Sequence, residues 1–569
     1  LILMFTKKNA LLALAGIMLI GAVLRFWNIN LPDIAIDDAL YSLRSIGYID
    51  YVAAINRQST PISWFSESQW WQYLSFHDAP PLVFWVQWLF FQIGDDNIFF
   101  ARLPFVIAGL SSILAMYFLG KKLGGEIAGL LSAGFLTISN YAIWVSRIGY
   151  LDGFLILWIA LSIYFFIKAE EKSKNYIWWG TTLAAGLLTK YTFLFMGPVF
   201  LLLILIWRKS AFRQKYFYLG ILAIIILISP IIVYNFMMFT ARGHLDAALS
   251  TLVGQKPVDF QGLTREKNID LDIIPAVKRI VSRNFSAGIW IILTMGIIGS
   301  ILNKNRNSNK IIMFIGLLFG IIMLTVTGPK DRFGVILLPF IAYLFSAGII
   351  WVYAKSPSWS KPLISIFTVS FVLWELFFAV QTQVMANPLI ESPVFLSVNR
   401  PIFAGYNNLE NYVKAFYEKF NGLSKIIIFA EEPQLAKYQE KRVLEQLKLN
   451  PNLKNQEHLL VFDDRMRWFS WVWIFERRRL YESAPIHSIG QFLEKLDKQD
   501  IEFYTKSGLK DATFIVATEK ILPTEENYID DPRTNFISDL ESYAKPNQEI
   551  FDHQGEIIFR MYRLPLSAF

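Results

Sequence analysis

The chain has 569 residues, of which 54% are hydrophobic, 16% are aromatic and only 18% are charged. Soluble domains carry about 25% charged residues, so this composition excludes a soluble globular enzyme as a description of the whole chain. It also excludes a disordered chain, which would be poor in apolar residues. Cysteine is absent, and this excludes disulfides, thiolate metal sites and a cysteine nucleophile.

The net charge of +8 comes from the hydrophobic part of the chain. Residues 391–569 hold 23 Lys and Arg against 27 Asp and Glu, so the basic excess lies before them. Cations beside apolar segments set membrane orientation, and we therefore expect membrane lipids rather than nucleic acid as partners.

Long apolar segments predict a polytopic α-helical membrane protein, because a spanning helix needs about 20 mostly apolar residues. The segments lie near 10–27, 98–119, 126–146, 152–168, 217–235, 285–302, 310–326, 332–353 and 362–385. The stretch 175–208 is too long for one helix and is interrupted by Lys190. It predicts two short crossings, which brings the expected number of spans to eleven. No cleavage pattern follows the first segment, so we expect an uncleaved anchor.

The distribution of cations predicts the orientation. With the N-terminus in the cytoplasm, sixteen Lys and Arg fall in inner turns, and the short outer turns hold only Arg147, Lys190, Lys330 and Arg332. Positive charge is enriched on the cytoplasmic side of membrane proteins. The sequence therefore predicts a multi-pass protein of the cell membrane with a cytoplasmic N-terminus and an extracytoplasmic C-terminal domain.

Two domains are expected. Residues 1–390 form a transmembrane domain with a large first outer loop at 28–97, whose aromatic stretches suggest helices at the membrane interface. Residues 391–569 read as a soluble α/β domain, because short apolar runs alternate with charged helical stretches at 435–448 and 488–498. The apolar runs lie at 426–430, 459–462 and 513–517. The apolar stretch 468–475 is too short to span, and is expected to be a buried strand or a surface that dips into the bilayer.

An adjacent pair of carboxylates, Asp37 and Asp38, follows the first span. A carboxylate at a partly dry membrane border can have a raised pKa and act as a general base. The commoner role of such residues is structural, with Asp37 as a helix cap and the neighbouring acid in the first turn.

Other polar residues lie at membrane borders. His77 and Asp78 precede two prolines, and they suggest either a metal or phosphate-binding turn or a plain turn. Ionisable residues at the borders of the predicted spans are costly to bury, and they therefore suggest function. The alternative is that their long side chains reach back to water. The residues concerned are Arg102, Arg147, Asp152, Lys190, Lys330, Asp331 and Arg332. The outer cations together could hold a phosphate. No Walker lysine motif, GxSxG elbow or zinc-protease histidine pair occurs.

Taken in order, these motifs resemble the clan C membrane glycosyltransferases. The order is Asp37-Asp38 with Tyr41, a Pro-Pro-Leu turn at 80–82, Arg102-Leu103, Arg147, Asp152, Leu188-Thr189-Lys190, and an Arg332-Phe333 stretch that ends at Leu338-Pro339. More closely, the chain looks like family 39, which contains the protein O-mannosyltransferases and the aminoarabinose transferase of lipid A. The resemblance covers about residues 10–385.

The resemblance implies a function and a site. The family transfers a sugar from a polyprenyl-phosphate carrier to an acceptor outside the membrane with inversion, and its catalytic acid maps onto Asp37, with Asp38 as the second acid. Tyr41, His77, Asp78, Arg102, Arg147, Asp152, Lys190 and Arg332 become the expected substrate-binding residues. No cofactor is required, although a divalent metal held by His77, Asp78 or His244 stays open.

The chain also departs from the family pattern. Asp38 stands where the family usually has Glu. Leu40 and Ala79 stand where the lipid A transferase has an arginine and a lysine that bind the donor phosphate. We therefore expect a bacterial member with its own lipid, glycan or protein acceptor rather than an aminoarabinose transferase. The sequence alone leaves two alternatives, namely a transporter of lipid-linked glycans and a non-catalytic membrane scaffold.

Overall fold

The computed structural model describes residues 7–51, 60–260, 273–286, 288–302, 308–327, 330–419, 433–449, 451, 456–497, 502–522 and 531–569. The chain divides into two compact units. Leu1–Ile29 and Tyr73–Pro401 form one, called the membrane unit below, and Asn30–Gln72 and Ile402–Phe569 form the other, called the α/β unit. Residues 30–72 of the first outer loop thus group with the C-terminal residues.

The membrane unit is helical throughout its described residues. Its principal helices are Lys7–Phe26, Leu82–Ile93, Ile98–Gly124, Glu126–Ile138, Asn140–Arg147, Asp152–Lys168, Asn175–Thr189, Met196–Trp207, Lys215–Arg242, Ala247–Val253, Ile273–Asn284, Gly288–Leu302, Ser308–Thr327, Leu338–Lys355 and Lys361–Ala379. Short 3₁₀ turns at Tyr191–Phe195 and Asp331–Leu337 precede two of them, and a π-helical turn at Val380–Val384 follows the last.

Six of the described helices are long and apolar enough to cross a membrane, and a bent pair makes a seventh. Only 17% of the apolar window in Lys215–Arg242 is buried by protein, which suits a helix that faces lipid. The polytopic helical class is therefore confirmed. The remaining predicted spans are helices of 17 residues or fewer, such as Asp152–Lys168 and Asn175–Thr189, so the number eleven stays a prediction.

The predicted span at 126–146 is bent by 60° between Glu126–Ile138 and Asn140–Arg147. Ser139 has extended backbone angles, and its side chain accepts a hydrogen bond from the backbone N–H of Ala142. A serine in this role caps the helix that follows it, so one residue ends the first helix and starts the second. The predicted break at Lys190 is also present, since one helix ends at Thr189 and 3₁₀ geometry begins at Tyr191.

The α/β unit contains one five-stranded sheet. Its strands are β1 (His458–Phe462), β2 (Ile486–Ser488), β3 (Asp511–Ala517), β4 (Gln548–Phe551) and β5 (Ile557–Pro565), in the order β2-β1-β3-β5-β4. β1 pairs in parallel with β2 and β3, and β5 is antiparallel to β3 and β4. All five residues of β1 are buried, as expected for a central strand.

Helices surround this sheet. They are Ile36–Gly47, Pro61–Trp64, Tyr406–Lys419, Pro433–Leu449, Arg477–Tyr481, Ile489–Asp497, Glu502–Lys506 and Pro532–Tyr543. The predicted strands at 459–462 and 513–517 and the two predicted helices are confirmed, whereas the run 426–430 lies outside the described residues. Residues 468–475 do not form a strand, and Phe469 is exposed, so the alternative of a surface that dips into the bilayer stays a prediction for the first part of this stretch. Their C-terminal part is a π-helical turn at Val472–Glu476 that is fully buried.

Two glycines set the closest helix crossing in the membrane unit. A Cβ atom built on Gly180 would collide with the carbonyl of Gly220, and one built on Gly220 would collide with the carbonyl of Tyr176. Small residues allow two membrane helices to approach backbone to backbone, and here they join Asn175–Thr189 to Lys215–Arg242.

We expect Gly180→Ala to destabilise the protein by about 1–3 kcal/mol, because overpacking a tight contact forces the backbone to shift. The measurement is the unfolding temperature in detergent. Gly134→Ala is the matched control, since a Cβ atom there meets nothing within 4 Å. The control should unfold at or above the wild-type temperature, and an equal loss in both variants would contradict this account of the crossing.

Candidate active site

The acid pair lies in the first turn of the helix Ile36–Gly47, called the acid helix below. The residue at the cap position is Ala35, and no side chain caps the helix. Asp37 is therefore not at the cap position, which was the structural alternative, because the helix already begins at Ile36. Both carboxylates instead lie in the first turn of the helix, close to the positive end of its dipole.

Tyr41 lies one turn after Asp37. Its hydroxyl donates a hydrogen bond to Oδ2 of Asp37 at 3.3 Å, and Asp38 is 1% exposed. At the other end of the acid helix, Arg44 forms a buried ion pair with Asp50, with 2.5 Å between Nη2 and Oδ1. The sequence analysis missed this pair, because a six-residue spacing follows no helical pattern. It fixes the end of the helix that carries the acid pair.

Cations gather around one aromatic ring of the membrane unit. The ammonium of Lys190 lies 4.3 Å from the ring centre of Phe333, that of Lys330 lies 5.7 Å from it, and the guanidinium of Arg332 lies 5.4 Å from it. The Arg332 guanidinium is also 5.7 Å from the ring of Tyr150. The face of an aromatic ring attracts cations, so Phe333 can hold like charges together. Lys190, Lys330 and Arg332 are called the cation cluster below.

Asp152 anchors the cation cluster. Both of its carboxylate oxygens lie 2.7 Å from Nζ of Lys190, and its side chain is 2% exposed. Asp152 is the first residue of its helix and Lys190 directly follows another, so the pair fastens two helix ends to each other. Predicted as separate border charges, these two residues are thus direct partners.

Two arginines that pair with Asp331 add further positive charge to this region. Asp331 forms ion pairs of 3.2 Å with Arg279 and Arg283, and its carbonyl accepts hydrogen bonds from Tyr141 and Asn284. The cation cluster with these two arginines makes five positive charges, against the carboxylates of Asp152 and Asp331. The balance is +3, which favours an anion such as a phosphate.

Arg147 and Arg102 have different surroundings. Nη1 of Arg147 donates to the carbonyls of Leu24, Arg25 and Trp27 at 2.7–3.3 Å, and its Nη2 donates to Asn28 at 3.2 Å. Nη1 of Arg102 donates to the carbonyl of Ile29 at 2.8 Å. Both arginines are completely buried. Their hydrogen bonds satisfy backbone carbonyls at and just after the end of the helix Lys7–Phe26.

His77 and Asp78 lie near residues 246–260. The ring of His77 stacks on Phe260 with centres 5.5 Å apart, and its carbonyl accepts a hydrogen bond from the backbone N–H of Ala247 at 2.7 Å. Asp246 directly precedes Ala247, and burial, with a contribution from the charge of Asp78, raises the pKa of Asp246.

From the sequence, Asp246 was a possible metal ligand together with His244, with a solvated loop as the favoured alternative, and the burial of Asp246 contradicts the solvated loop. Asp246 is fully buried, caps the helix Ala247–Val253, and accepts hydrogen bonds from Tyr191 at 2.6 Å and Asn235 at 2.8 Å. The sequence signal for Asp246 was an Asp at a possible helix start. Its hydrogen bond from Tyr191, the residue after Lys190, depends on tertiary packing. His244, an open candidate for a metal ligand, has its Nε2 3.0 Å from Asp259, which also pairs with Arg242.

Comparisons with known proteins agree with this fold. The profile of the family described as dolichyl-phosphate-mannose-protein mannosyltransferase matches residues 78–234. The chain superposes on the Archaeoglobus fulgidus oligosaccharyltransferase with a TM-score of 0.51 and 12% identity, over 90% of this chain and 70% of that one. It superposes on ArnT from Cupriavidus metallidurans, solved with undecaprenyl phosphate, with a TM-score of 0.50 and 12% identity over 98% of both chains.

A curated relative is more similar in sequence. YkcB of Bacillus subtilis, named as a candidate mannosyltransferase, is 26% identical over 33% of this chain, and the match spans only 27% of that relative's length. Together these findings confirm the predicted clan C fold and the similarity to family 39. The matched profile includes Asp78, Arg102, Arg147, Asp152 and Lys190 but begins after the acid pair.

Proposed function

We propose that this chain, which has the fold of the clan C membrane glycosyltransferases and resembles family 39, is an inverting glycosyltransferase. It moves a sugar from a polyprenyl-phosphate carrier to a lipid, glycan or protein acceptor on the extracytoplasmic side. The observation that carries the proposal is Asp37, a first-turn carboxylate that does not cap its helix and that Tyr41 holds by a hydrogen bond. A carboxylate held in a fixed position is the kind of group that can act as a general base.

The reaction is a single displacement. Asp37 takes the proton of the acceptor hydroxyl, and the acceptor oxygen bonds to the anomeric carbon of the sugar. The bond between that carbon and the phosphate oxygen breaks, and polyprenyl phosphate leaves with the electron pair. Attack from the face opposite the leaving group inverts the anomeric centre. Side chains supply every step, so we propose no resident cofactor.

The cation cluster is the proposed binding site for the donor phosphate. Fixed cations stabilise the charge that develops on a leaving phosphate. Leu40 and Ala79 remove two ligands that the lipid A transferase has, whereas Lys330, Arg279 and Arg283 add positive charge around Phe333 and Asp331. Arg102 and Arg147, bonded to backbone carbonyls, support the end of the first helix in this proposal.

The decisive experiment uses washed membranes and a labelled polyprenyl-phosphate sugar. We expect label in an acceptor on the outer face. Label that crosses the membrane still attached to its carrier would indicate a transporter instead, and neither transfer nor movement would indicate a scaffold.

We expect Asp37→Asn to lower the transfer rate about 10²–10⁴-fold, because the substitution removes the general base and keeps the shape. The unfolding temperature should change little, since Ala35 occupies the cap position and only a dipole term of about 0.3–1 kcal/mol is lost. Single-turnover kinetics on purified protein measure the effect. Asp38→Asn is the neighbouring control, with a smaller loss of rate expected. Transfer at the normal rate by Asp37→Asn would exclude this residue as the base.

For the cation cluster we expect Arg332→Ala to raise KM for the donor, lower kcat, or both, by about 10-fold or more, because charge-assisted bonds to phosphate contribute about 1.5–3 kcal/mol. Lys190→Ala is combined with Asp152→Asn so that no buried carboxylate is left unpaired. The control is Lys437→Ala, which removes an exposed cation of the α/β unit. Kinetics that match this control in both cluster variants would remove the cluster from the donor site.

The orientation is tested with a reporter after Phe569. Cations of inner turns outnumber those of outer turns, so alkaline phosphatase, which is active only outside the cytoplasm, should be active there. Green fluorescent protein at the same position serves as the reciprocal reporter and should be dark after export. Strong fluorescence with an inactive phosphatase would place the α/β unit in the cytoplasm and contradict the proposed sidedness.

A further inference from the structure

Residues 30–33, which lead into the acid helix, are tied to residues 402–407 of the same α/β unit. The backbone N–H of Asp33 donates to the carbonyl of Ile402 at 2.8 Å. The amide of Asn407 donates to the carbonyls of Asn30, Leu31 and Pro32 at 2.8–3.1 Å. The path of the chain into the acid helix is therefore fixed residue by residue.

The carboxylate of Asp33 is the centre of this attachment. Oδ2 accepts from the backbone N–H groups of Ala404 at 2.6 Å and Gly405 at 3.0 Å, and Oδ1 accepts from that of Asn407 at 2.8 Å. These donors lie at the start of the helix Tyr406–Lys419, whose positive end also favours a carboxylate. Asp33 is 3% exposed, so its charge is held in a dry nest of N–H groups.

Gly405 makes the nest feasible. The φ angle of Gly405 is +90°, a value that residues with a side chain rarely adopt. A Cβ atom at this position would lie 2.5 Å from Cδ1 of Ile558. A glycine at this point lets two nearby N–H groups turn towards one carboxylate. The loop is thus shaped for an anion, and Asp33 is the anion that it holds.

A second set of contacts holds the far end of the acid helix. The hydroxyl of Tyr481 donates to the carbonyl of Leu43 at 2.7 Å and accepts from the N–H of Gly47 at 3.1 Å. The hydroxyl of Tyr51 donates to Glu476 at 3.3 Å. Both ends of the acid helix are therefore bound to residues of the C-terminal part of the chain.

The helix start itself is strained. Ile36 has φ +54°, a left-handed conformation that is a real outlier for a β-branched residue. Such strain persists only where the surroundings fix it. Asp37 follows directly, so the strained turn determines where its carboxylate lies.

We infer that residues 402–407 and 476–481 position the general base, with Asp33 as the main positioning residue. This inference rests on the proposed function of Asp37. Asp33 touches no reacting atom in this scheme. It fixes the chain that enters the acid helix, and thereby gives the C-terminal part of the α/β unit a role in the reaction.

The test compares Asp33→Ala and Asp33→Asn with Asp531→Ala. Asp531 also caps a helix of the α/β unit, Pro532–Tyr543, so its removal matches the loss of a cap without loosening residues 30–33. We expect Asp33→Ala to lower kcat about 10–10²-fold with KM for the donor nearly unchanged, because misplacing a catalytic group by about 1 Å has this effect. Asp33→Asn keeps one acceptor oxygen and should fall between Asp33→Ala and the wild type, whereas Asp531→Ala should keep the wild-type kcat.

A second readout is independent of activity. The chain has no cysteine, so nitroxide labels on Ile46→Cys and Lys414→Cys report only the distance between the acid helix and the helix Tyr406–Lys419. We expect a narrow distribution in the wild-type background and in Asp531→Ala, and a broadened one in Asp33→Ala.

The two readouts separate the outcomes. Broadening together with a loss of kcat supports the inference, and either change without the other overturns it. A fall in kcat of the same size in Asp531→Ala also overturns it, because the effect is then general to the unit. If the wild-type protein transfers no sugar, the proposed function fails, and the label distances alone decide whether Asp33 fixes the acid helix.

Discussion

Backbone carbonyls at the ends of membrane helices need donors, because the hydrocarbon supplies none. In the membrane unit buried arginines meet this need, and two of them do so reciprocally. Arg147 binds the carbonyls at the end of the helix Lys7–Phe26, and Arg25 on that helix donates to the carbonyls of Leu136 and Thr137, which end the helix Glu126–Ile138. Each helix end is thus closed by an arginine from the other segment, and the bend at Ser139 lies at their junction.

This exchange determines which cations remain for chemistry. The hydrogen bonds of Arg147 to four carbonyls make it a poor candidate for a phosphate ligand, although its sequence position suggested one. The cation cluster is different, because Lys190 shares its ammonium between Asp152 and the face of Phe333 and the guanidinium of Arg332 lies over aromatic rings. Neighbouring cations around a single ring are the reason why we propose this cluster as the phosphate site.

The sequence predicted those features that are encoded locally. Hydrophobic runs indicated the helices and two strands of the sheet, and a single charged residue within a long apolar stretch located the break at Lys190. Pairings between distant residues were beyond it. Asp152 and Lys190 are 38 positions apart and meet because two helix ends pack together. Asp33 was not singled out from the sequence, because its partners lie at 404–407. The cap expected at Asp37 failed for the same reason, since tertiary bonds rather than a local side chain set the start of the acid helix.

The energetics of that helix start explain why a cap is unnecessary. An uncapped start costs about 1 kcal/mol and the left-handed Ile36 about 1–3 kcal/mol. The three N–H groups that bind the Asp33 carboxylate contribute about 1.5–3 kcal/mol each when donor or acceptor is charged, before the cost of burying that charge. These bonds come from a residue four positions before Asp37 and hold the chain that enters the acid helix. Asp33 therefore fixes the path of the chain into the acid helix, and with it the position from which we propose that Asp37 acts as the base.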